Sequence, residues 1–135
     1  MSGTLASRLA DVRARIAAAA RRAGREPQEV TLVGVSKRMP AVLVAEAARA
    51  GLGCIGENYV QEAKEKFQAL AAFPEAAGLR RHLIGPLQRN KAKDAVTLFD
   101  VVETVDRTSL AVELDRRAGA AGRRLEVLLQ VDVSG

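Results

Sequence analysis

The sequence predicts an α/β protein with a parallel sheet, and three observations support this prediction. Short apolar runs with the composition of buried strands occur five times along the chain. Amphipathic helical patterns separate consecutive runs, and one further amphipathic pattern precedes the first run. Glycine, proline and polar residues mark the junctions between the two kinds of segment. Strands that alternate with helices in this way pair in parallel through right-handed crossovers.

The first helix is predicted from apolar residues near the N-terminus. They recur every three or four positions, at Leu5, Leu9, Val12 and Ile16. This spacing places them on one face of an amphipathic helix. Gly24 is a suitable stop signal for that helix because glycine tolerates the left-handed backbone that often follows a helix end.

The strands and the remaining helices are predicted in strict alternation. The five predicted strands cover residues 30–35, 52–55, 82–84, 101–105 and 125–133. The first of them is nearly all apolar and β-branched, as is typical of a strand buried on both faces. The helices between the strands are predicted over residues 40–51, 58–71, 88–95 and 106–122. Pro40 suits a first helical turn, and Asp106 is a good N-cap for the last helix.

This pattern fits two architectures. One is an open doubly wound sheet, and the other is part of a (β/α)₈ barrel. A complete barrel of this kind takes about 250 residues, whereas this chain has 135. The pattern alone does not separate the two.

Composition indicates one ordinary globular domain with a basic surface. Hydrophobic residues make up 48% and charged residues 27% of the chain, and the formal net charge is +5. A basic balance favours anionic partners, so a basic nucleic-acid-binding domain is one alternative. However, the basic residues, Lys64 and Lys66 among them, fall on predicted helices between alanines and acidic residues. Aromatic residues, which would stack on bases, make up only 3%. A solvated basic surface is therefore preferred, and nucleic acid is not the expected partner.

The single cysteine and the N-terminal segment suggest the cytoplasm. Cys54 has no second cysteine with which to form an internal disulfide, and the sequence shows no secretory signal pattern. Arginines interrupt the alanine-rich first 25 residues, so this segment is not expected to span a membrane.

A candidate chemical group, Lys37, follows the first predicted strand directly after Ser36. In parallel α/β folds, functional groups lie at the carboxyl ends of the strands. Partial desolvation disfavours the ammonium form of a lysine, and a neutral amine can attack an aldehyde to form a Schiff base. The alternative is a solvent-facing lysine in a loop.

Other polar residues are predicted near the same end of the sheet. Asn58 follows the second strand and could either cap a helix or donate to a ligand. His82, the only histidine, lies in the third strand and is either a core residue or a wall of a site. Gln130 and Asp132 lie near the end of the fifth strand, where polar residues often point into a site.

Taken in order, the segments at these junctions resemble one known family. The segments are V-S-K at 35–37 with Pro40, G-E-N-Y-V-Q-E at 56–62, H-L-I-G-P-L-Q-R-N-K at 82–91, T-V-D-R at 104–107 and Q-V at 130–131. They resemble the pyridoxal phosphate homeostasis protein family. The resemblance runs from the first helix to the last residue, and the second and third segments are highly specific.

The resemblance implies a fold and a cofactor. The fold would be that of the parallel (β/α)₈ TIM-type barrel family, like the N-terminal domain of alanine racemase. Here it would comprise about the first five strands with an N-terminal helix. Residues 1–135 would form one barrel domain that binds pyridoxal 5′-phosphate (PLP) and is truncated at its C-terminal end. PLP would be held as a Schiff base on Lys37, with Asn58 as a cofactor contact and His82 as a wall of the site.

The resemblance also implies a role in the cell. Members of the family act in intracellular PLP homeostasis as non-catalytic carriers or regulators, with PLP-dependent enzymes as possible recipients of the cofactor. An alternative is a PLP-dependent racemase- or decarboxylase-like enzyme, which would need an acid/base residue opposite Lys37.

Overall fold

Five short strands pair in parallel, in the order in which they occur along the chain. The computed structural model describes residues 3–135. The strands are β1 (Val33–Val35), β2 (Cys54–Glu57), β3 (Arg80–Leu83), β4 (Val101–Val105) and β5 (Glu126–Leu129). A doubly wound sheet reverses its strand order at a switch point, whereas successive strands are neighbours in a (β/α)₈ barrel. The sequential order therefore confirms the predicted barrel-type sheet of five strands.

Helices connect the strands and precede the first one, as predicted. They are α1 (Leu5–Arg22), α2 (Ala41–Arg49), α3 (Val60–Leu70), α4 (Ala92–Leu98) and α5 (Thr108–Ala120). Three short 3₁₀ helices cover Pro27–Glu29, Pro74–Ala76 and Arg89–Lys91. Gly24 and Gly122 have φ values of 71° and 64° just beyond α1 and α5. This left-handed backbone ends both helices at the predicted glycines.

Two strands are shorter than the apolar runs that predict them. β1 begins at Val33 rather than residue 30, because the N–H of Val30 closes the preceding 3₁₀ helix by donating to the Pro27 carbonyl. β5 covers only Glu126–Leu129 of the predicted 125–133. It lies at an edge of the sheet, and beyond it the N–H of Gln130 donates to the Val105 carbonyl.

The predicted N-cap of α5 is wrong. The helix begins after Arg107, and no side chain caps it. The Asp106 carboxylate instead pairs with the guanidinium of Arg107, at 2.7 Å between Oδ1 and Nη1. Because the Asp106 carboxylate forms this ion pair, it does not accept hydrogen bonds from the first N–H groups of α5.

The helices cover one face of the sheet and form the core there. Ile55, Leu83 and Val102 are buried on this face against the helices. The rings of Phe67 on α3 and Phe99 after α4 meet edge to face, with centroids 5.6 Å apart. The alternate strand residues, His82 among them, lie on the opposite face.

Apolar side chains remain exposed along the edge formed by β5. Val127, Leu129, Val131 and Val133 are 39%, 74%, 73% and 92% exposed. β1 forms the other edge of the sheet. Among residues 3–135, no helix combines the length and the hydropathy needed to cross a membrane.

Candidate functional site

The strand register brings the predicted residues to neighbouring strands at one end of the sheet. Val35 pairs with Gly56, and Gly56 pairs with His82. Lys37 and Asn58 each follow this aligned row by two residues, on the exits of β1 and β2. His82 lies in the row itself, on β3. The three predicted residues thus come from three adjacent strands.

Lys37 lies in the turn between β1 and α2 and is exposed to solvent. Its side chain makes no hydrogen bond or ion pair with another residue in the described range 3–135. The next residue, Arg38, has a φ of 60°, a left-handed backbone that is uncommon outside glycine. The amine of Lys37 therefore projects from a turn whose left-handed conformation at Arg38 must be stabilised by neighbouring residues.

A buried polar cluster lies beneath this turn. The Nζ of Lys66 on α3 is 2.8 Å from Oε2 of Glu57, the last residue of β2. Lys66 also donates a hydrogen bond to the Ser36 carbonyl, and the Ser36 hydroxyl donates to Oε2 of Glu57. The Lys66 and Glu57 side chains are only 6% and 0% exposed. The cluster joins β1, β2 and α3 at the base of the Lys37 turn.

Assigning Lys66 to the solvated surface is therefore wrong. Lys66 lies three residues after Ala63 and four before Leu70, both buried on the apolar face of α3. That spacing puts Lys66 on the same face, which is the signal in the sequence that could have identified it. Its neighbour Lys64 is exposed, as predicted.

Glu62 extends the cluster to the far side of the turn. Its Oε2 accepts a hydrogen bond from the N–H of Arg38 and lies 3.4 Å from the Nζ of Lys66. The bond from the Arg38 N–H, followed by the charge of Lys66, lowers the pKa of the Glu62 carboxyl below its ordinary value. Glu62 thus remains an anion that fixes the backbone directly after Lys37.

Asn58 is half-buried and does not cap α3. The N-cap position is Tyr59, without a side-chain hydrogen bond. The Asn58 side chain has no hydrogen-bond partner within residues 3–135. Its main chain packs tightly against Gly85, where an added Cβ would lie 2.4 Å from the Asn58 carbonyl oxygen. The Gly85 carbonyl in turn accepts a hydrogen bond of 2.8 Å from the Thr104 hydroxyl. The exits of β2, β3 and β4 are therefore in direct contact.

His82 is buried on the face opposite the helices. Neither ring nitrogen has a hydrogen-bond partner within the described part of the chain. The nearest charged group is Glu103 on β4, with its Oε1 3.7 Å from Nδ1. Buried polar atoms are normally paired, so an unpaired imidazole here is unusual. Polar groups without partners beside a candidate site are the kind that a polar ligand would satisfy.

Gln130 and Asp132 do not join these residues. Both are exposed beyond β5, at the edge of the sheet opposite β1. Hydrogen bonds from the Ser134 hydroxyl and N–H lower the pKa of the Asp132 carboxyl. Asp132 therefore contributes to a local turn in the final residues of the chain.

One groove in the described chain adjoins the Lys37 turn, because Val35, Ser36 and Met39 contribute to its lining. It has a volume of about 570 Å³ and runs between α1, α2 and β1. Its lining is mainly apolar and includes Leu5, Leu9, Leu32, Leu43 and Leu52. Lys37, Asn58 and His82 do not line it. No group of three or more His, Cys, Asp or Glu residues in the range 3–135 could hold a metal ion.

The sequential parallel sheet and the polar residues at its carboxyl end define a barrel-type α/β protein with a candidate ligand site at the strand ends. Comparison with known families agrees with this class. The chain belongs to the family described as alanine racemase, N-terminal domain, which matches residues 7–135.

Two curated relatives support the resemblance seen in the sequence. The chain is 45% identical over 133 residues to the pyridoxal phosphate homeostasis protein of Escherichia coli K12, covering 96% of this chain and 55% of the relative. It is 46% identical over 132 residues to the protein of that name from Pseudomonas aeruginosa, covering 98% and 56%. The chain therefore spans a little over half the length of these relatives.

Solved structures show the same fold. PipY of Synechococcus elongatus with PLP bound is 42% identical and superposes with a TM-score of 0.82. This match covers 96% of the present chain and 55% of PipY. The structure of PipY without PLP gives a TM-score of 0.83 at the same identity. The predicted fold and the resemblance to the homeostasis protein family are confirmed.

Proposed function

We propose that this chain binds PLP, with the amine of Lys37 holding the cofactor as a Schiff base. The observation that carries the proposal is the amine of Lys37, exposed at the carboxyl end of β1 and unpaired among the residues that the structure describes. A parallel α/β sheet places functional groups at this end. The similarity to homeostasis proteins and to a PLP-bound structure supports the choice of cofactor.

The residues around Lys37 fit such a ligand. Within residues 3–135, Asn58 offers an amide without a hydrogen-bond partner on the neighbouring strand exit, and His82 offers two such ring nitrogens on the next strand. We assign Asn58 as a cofactor contact and His82 as a wall of the site. Gly56 lies on β2 in the row that pairs with His82, and the side chains of Ile84 and Val33 pack over it, within 3.0–3.2 Å of where a Cβ would lie.

The covalent step needs no additional reactant. The amine nitrogen of Lys37 would bond to the aldehyde carbon as a C=N double bond, and the carbonyl oxygen would leave as water with the two hydrogens of the amine. No oxidant or reductant takes part. When bound, the cofactor supplies an electron sink for carbanions, and the role proposed here uses only its reversible attachment.

In the cell, the chain would serve intracellular PLP homeostasis as a non-catalytic carrier or regulator. PLP-dependent enzymes are the proposed recipients of the cofactor. The names of the curated relatives support this role. Cys54, the only cysteine, is buried and free, which is consistent with the reducing cytoplasm that we propose as its location.

Trapping the Schiff base tests the proposal. The purified chain is mixed with PLP, the visible absorbance is followed, and borohydride then reduces the C=N bond. Mass spectrometry maps the labelled lysine. We expect one label, on Lys37, that is lost in Lys37→Ala and kept in Lys64→Ala, a matched control at an exposed lysine.

Two other results would contradict the proposal. One is no label on the chain, and the other is a set of labels scattered over many lysines. Turnover of an amino acid by the PLP-loaded chain would instead favour the racemase- or decarboxylase-like alternative.

A further inference from the structure

We propose that α3 holds the Lys37 turn in position through Glu62 and Lys66, which act as positioning residues for the Lys37 amine. This inference deepens the proposed function and rests on it. We call Ser36, Glu57, Glu62 and Lys66 the turn clamp.

The turn clamp holds the backbone on both sides of Lys37. Lys66 donates to the carbonyl of Ser36, the residue before Lys37. Glu62 accepts from the N–H of Arg38, the residue after it. Glu62 and Lys66 are four residues apart on one helix and lie 3.4 Å from each other. One helical turn of α3 therefore fixes the peptide groups that flank the reactive side chain.

The turn has a conformation that needs such support. Arg38 adopts a φ of 60°, and a left-handed backbone at a non-glycine residue persists only where its surroundings impose it. The N–H of Arg38 donates its hydrogen bond to the carboxylate of Glu62. Without Glu62, the turn would relax toward ordinary dihedral angles, and the Lys37 side chain would leave its present direction.

The composition of the turn clamp also points to positioning rather than to stability. A buried ion pair is often no more stable than apolar side chains of similar volume. The pair of Lys66 and Glu57 even leaves Oε1 of Glu57 buried without a partner in the described chain. Apolar side chains at positions 57 and 66 would avoid that unpaired atom. A hydrogen bond to the Ser36 carbonyl, however, requires a donor at position 66.

Substitution at Glu62 separates positioning from folding. The Glu62 side chain is 28% exposed, so its truncation disturbs the interior less than truncation of Lys66 or Glu57, which are 6% and 0% exposed. Glu62→Ala removes the acceptor for the Arg38 N–H, and Glu62→Gln keeps an acceptor oxygen. Glu65→Ala is the matched control, because Glu65 is exposed on the same helix and its side-chain hydrogen bond within residues 3–135 is with Gln61.

Three measurements are made on each variant of the full 135-residue chain. They are the initial rate of borohydride-trapped labelling of Lys37 by PLP, amide hydrogen exchange at Arg38, and thermal unfolding. Loss of one positioning hydrogen bond is expected to slow labelling of Lys37 by roughly tenfold in Glu62→Ala. Exchange at Arg38 should become faster. Glu62→Gln should recover part of the rate, and Glu65→Ala should match the unsubstituted chain.

The outcomes distinguish the two proposals. Equal labelling rates and equal exchange at Arg38 in Glu62→Ala and Glu65→Ala would overturn the positioning role and leave the proposed function intact. An unsubstituted chain that takes no label on Lys37 would overturn the proposed function and the positioning role together. If Glu62→Ala is unfolded, Glu62→Gln is compared with Glu65→Gln, and equal rates in that pair overturn the positioning role.

Discussion

The ammonium of Lys66 and the carboxylate of Glu57 form a buried ion pair, 2.8 Å apart, directly beneath the turn that carries Lys37. Removing one partner of such a pair leaves an uncompensated charge inside the protein, which is costly. We therefore expect Lys66→Met to lower the free energy of unfolding by about 3–5 kcal/mol, measured by urea denaturation. Lys64→Met, on the exposed face of α3, is the matched control. A loss below about 1 kcal/mol, within the usual range for exposed pairs, would contradict the burial of this pair.

The double variant Glu57→Gln/Lys66→Met should be more stable than Lys66→Met alone. It no longer buries an unpaired carboxylate, although the Ser36 carbonyl still lacks its donor. The same urea denaturation gives the comparison. A double variant that is less stable than Lys66→Met would contradict the explanation that the uncompensated charge of Glu57 causes the loss.

The lowered pKa of Glu62 predicts a contribution to stability that depends on pH. A carboxyl with a lower pKa in the folded than in the unfolded state stabilises the fold above its ordinary pKa. This contribution is lost as the pH falls from the ordinary glutamate range through the lowered value. The temperature of thermal unfolding should thus decrease less between neutral and acidic pH in Glu62→Gln than in the unsubstituted chain. Glu65→Gln should show the same decrease as the unsubstituted chain. An identical pH dependence in all three proteins would contradict a stabilising role for the Glu62 carboxylate.

Arg123 closes the C-terminal end of α4. Its guanidinium donates to the carbonyls of Val96, Thr97 and Phe99, groups that a helix end leaves without intrahelical partners. We expect Arg123→Met to lower the free energy of unfolding by about 1–3 kcal/mol. Arg124→Met, at the exposed neighbouring residue, should change it by less than about 0.5 kcal/mol. Equal effects of the two substitutions in urea denaturation would contradict the capping role.

Gly85 is expected to be essential for the position of Asn58. A Cβ at Gly85 would lie 2.4 Å from the carbonyl oxygen and 2.9 Å from the Cα of Asn58, so the backbone must move to accept it. We expect Gly85→Ala to cost about 1–3 kcal/mol of stability and to reduce PLP labelling of Lys37. At Gly78 an added Cβ meets no described atom within 4 Å, so Gly78→Ala is the control. Labelling and stability that are unchanged in Gly85→Ala would contradict the contact.

The sequence predicted the order and type of the elements better than their ends. β4 has the predicted bounds, because its apolar run is buried between two neighbouring strands. β5 is about half as long as its apolar run, since only one neighbouring strand pairs with it in this sheet. The Asp106 cap failed because an adjacent arginine took the carboxylate. Periodicity reports which face is buried, but not which of several nearby partners a polar group selects.

The sequence predicted where the candidate site lies, but not the buried residues that hold the Lys37 turn. Lys37, Asn58 and His82 follow from the rule that strand ends carry function and from the family resemblance, and their roles stay predictions. The turn clamp was missed because a lysine on a helix is usually a surface residue. Its burial depends on Glu57 and on the carbonyl of Ser36, which are 9 and 30 residues away along the chain. Only the folded arrangement brings them together.

The turn clamp makes one strand-helix repeat depend on the next. Lys37 belongs to the first repeat, but the side chains that hold its turn come from the helix of the second. Whatever unwinds α3 would release the lysine even if β1 stayed paired. The orientation of the amine is therefore a cooperative property of two repeats. The first repeat by itself would contain the reactive residue but not the side chains that orient it.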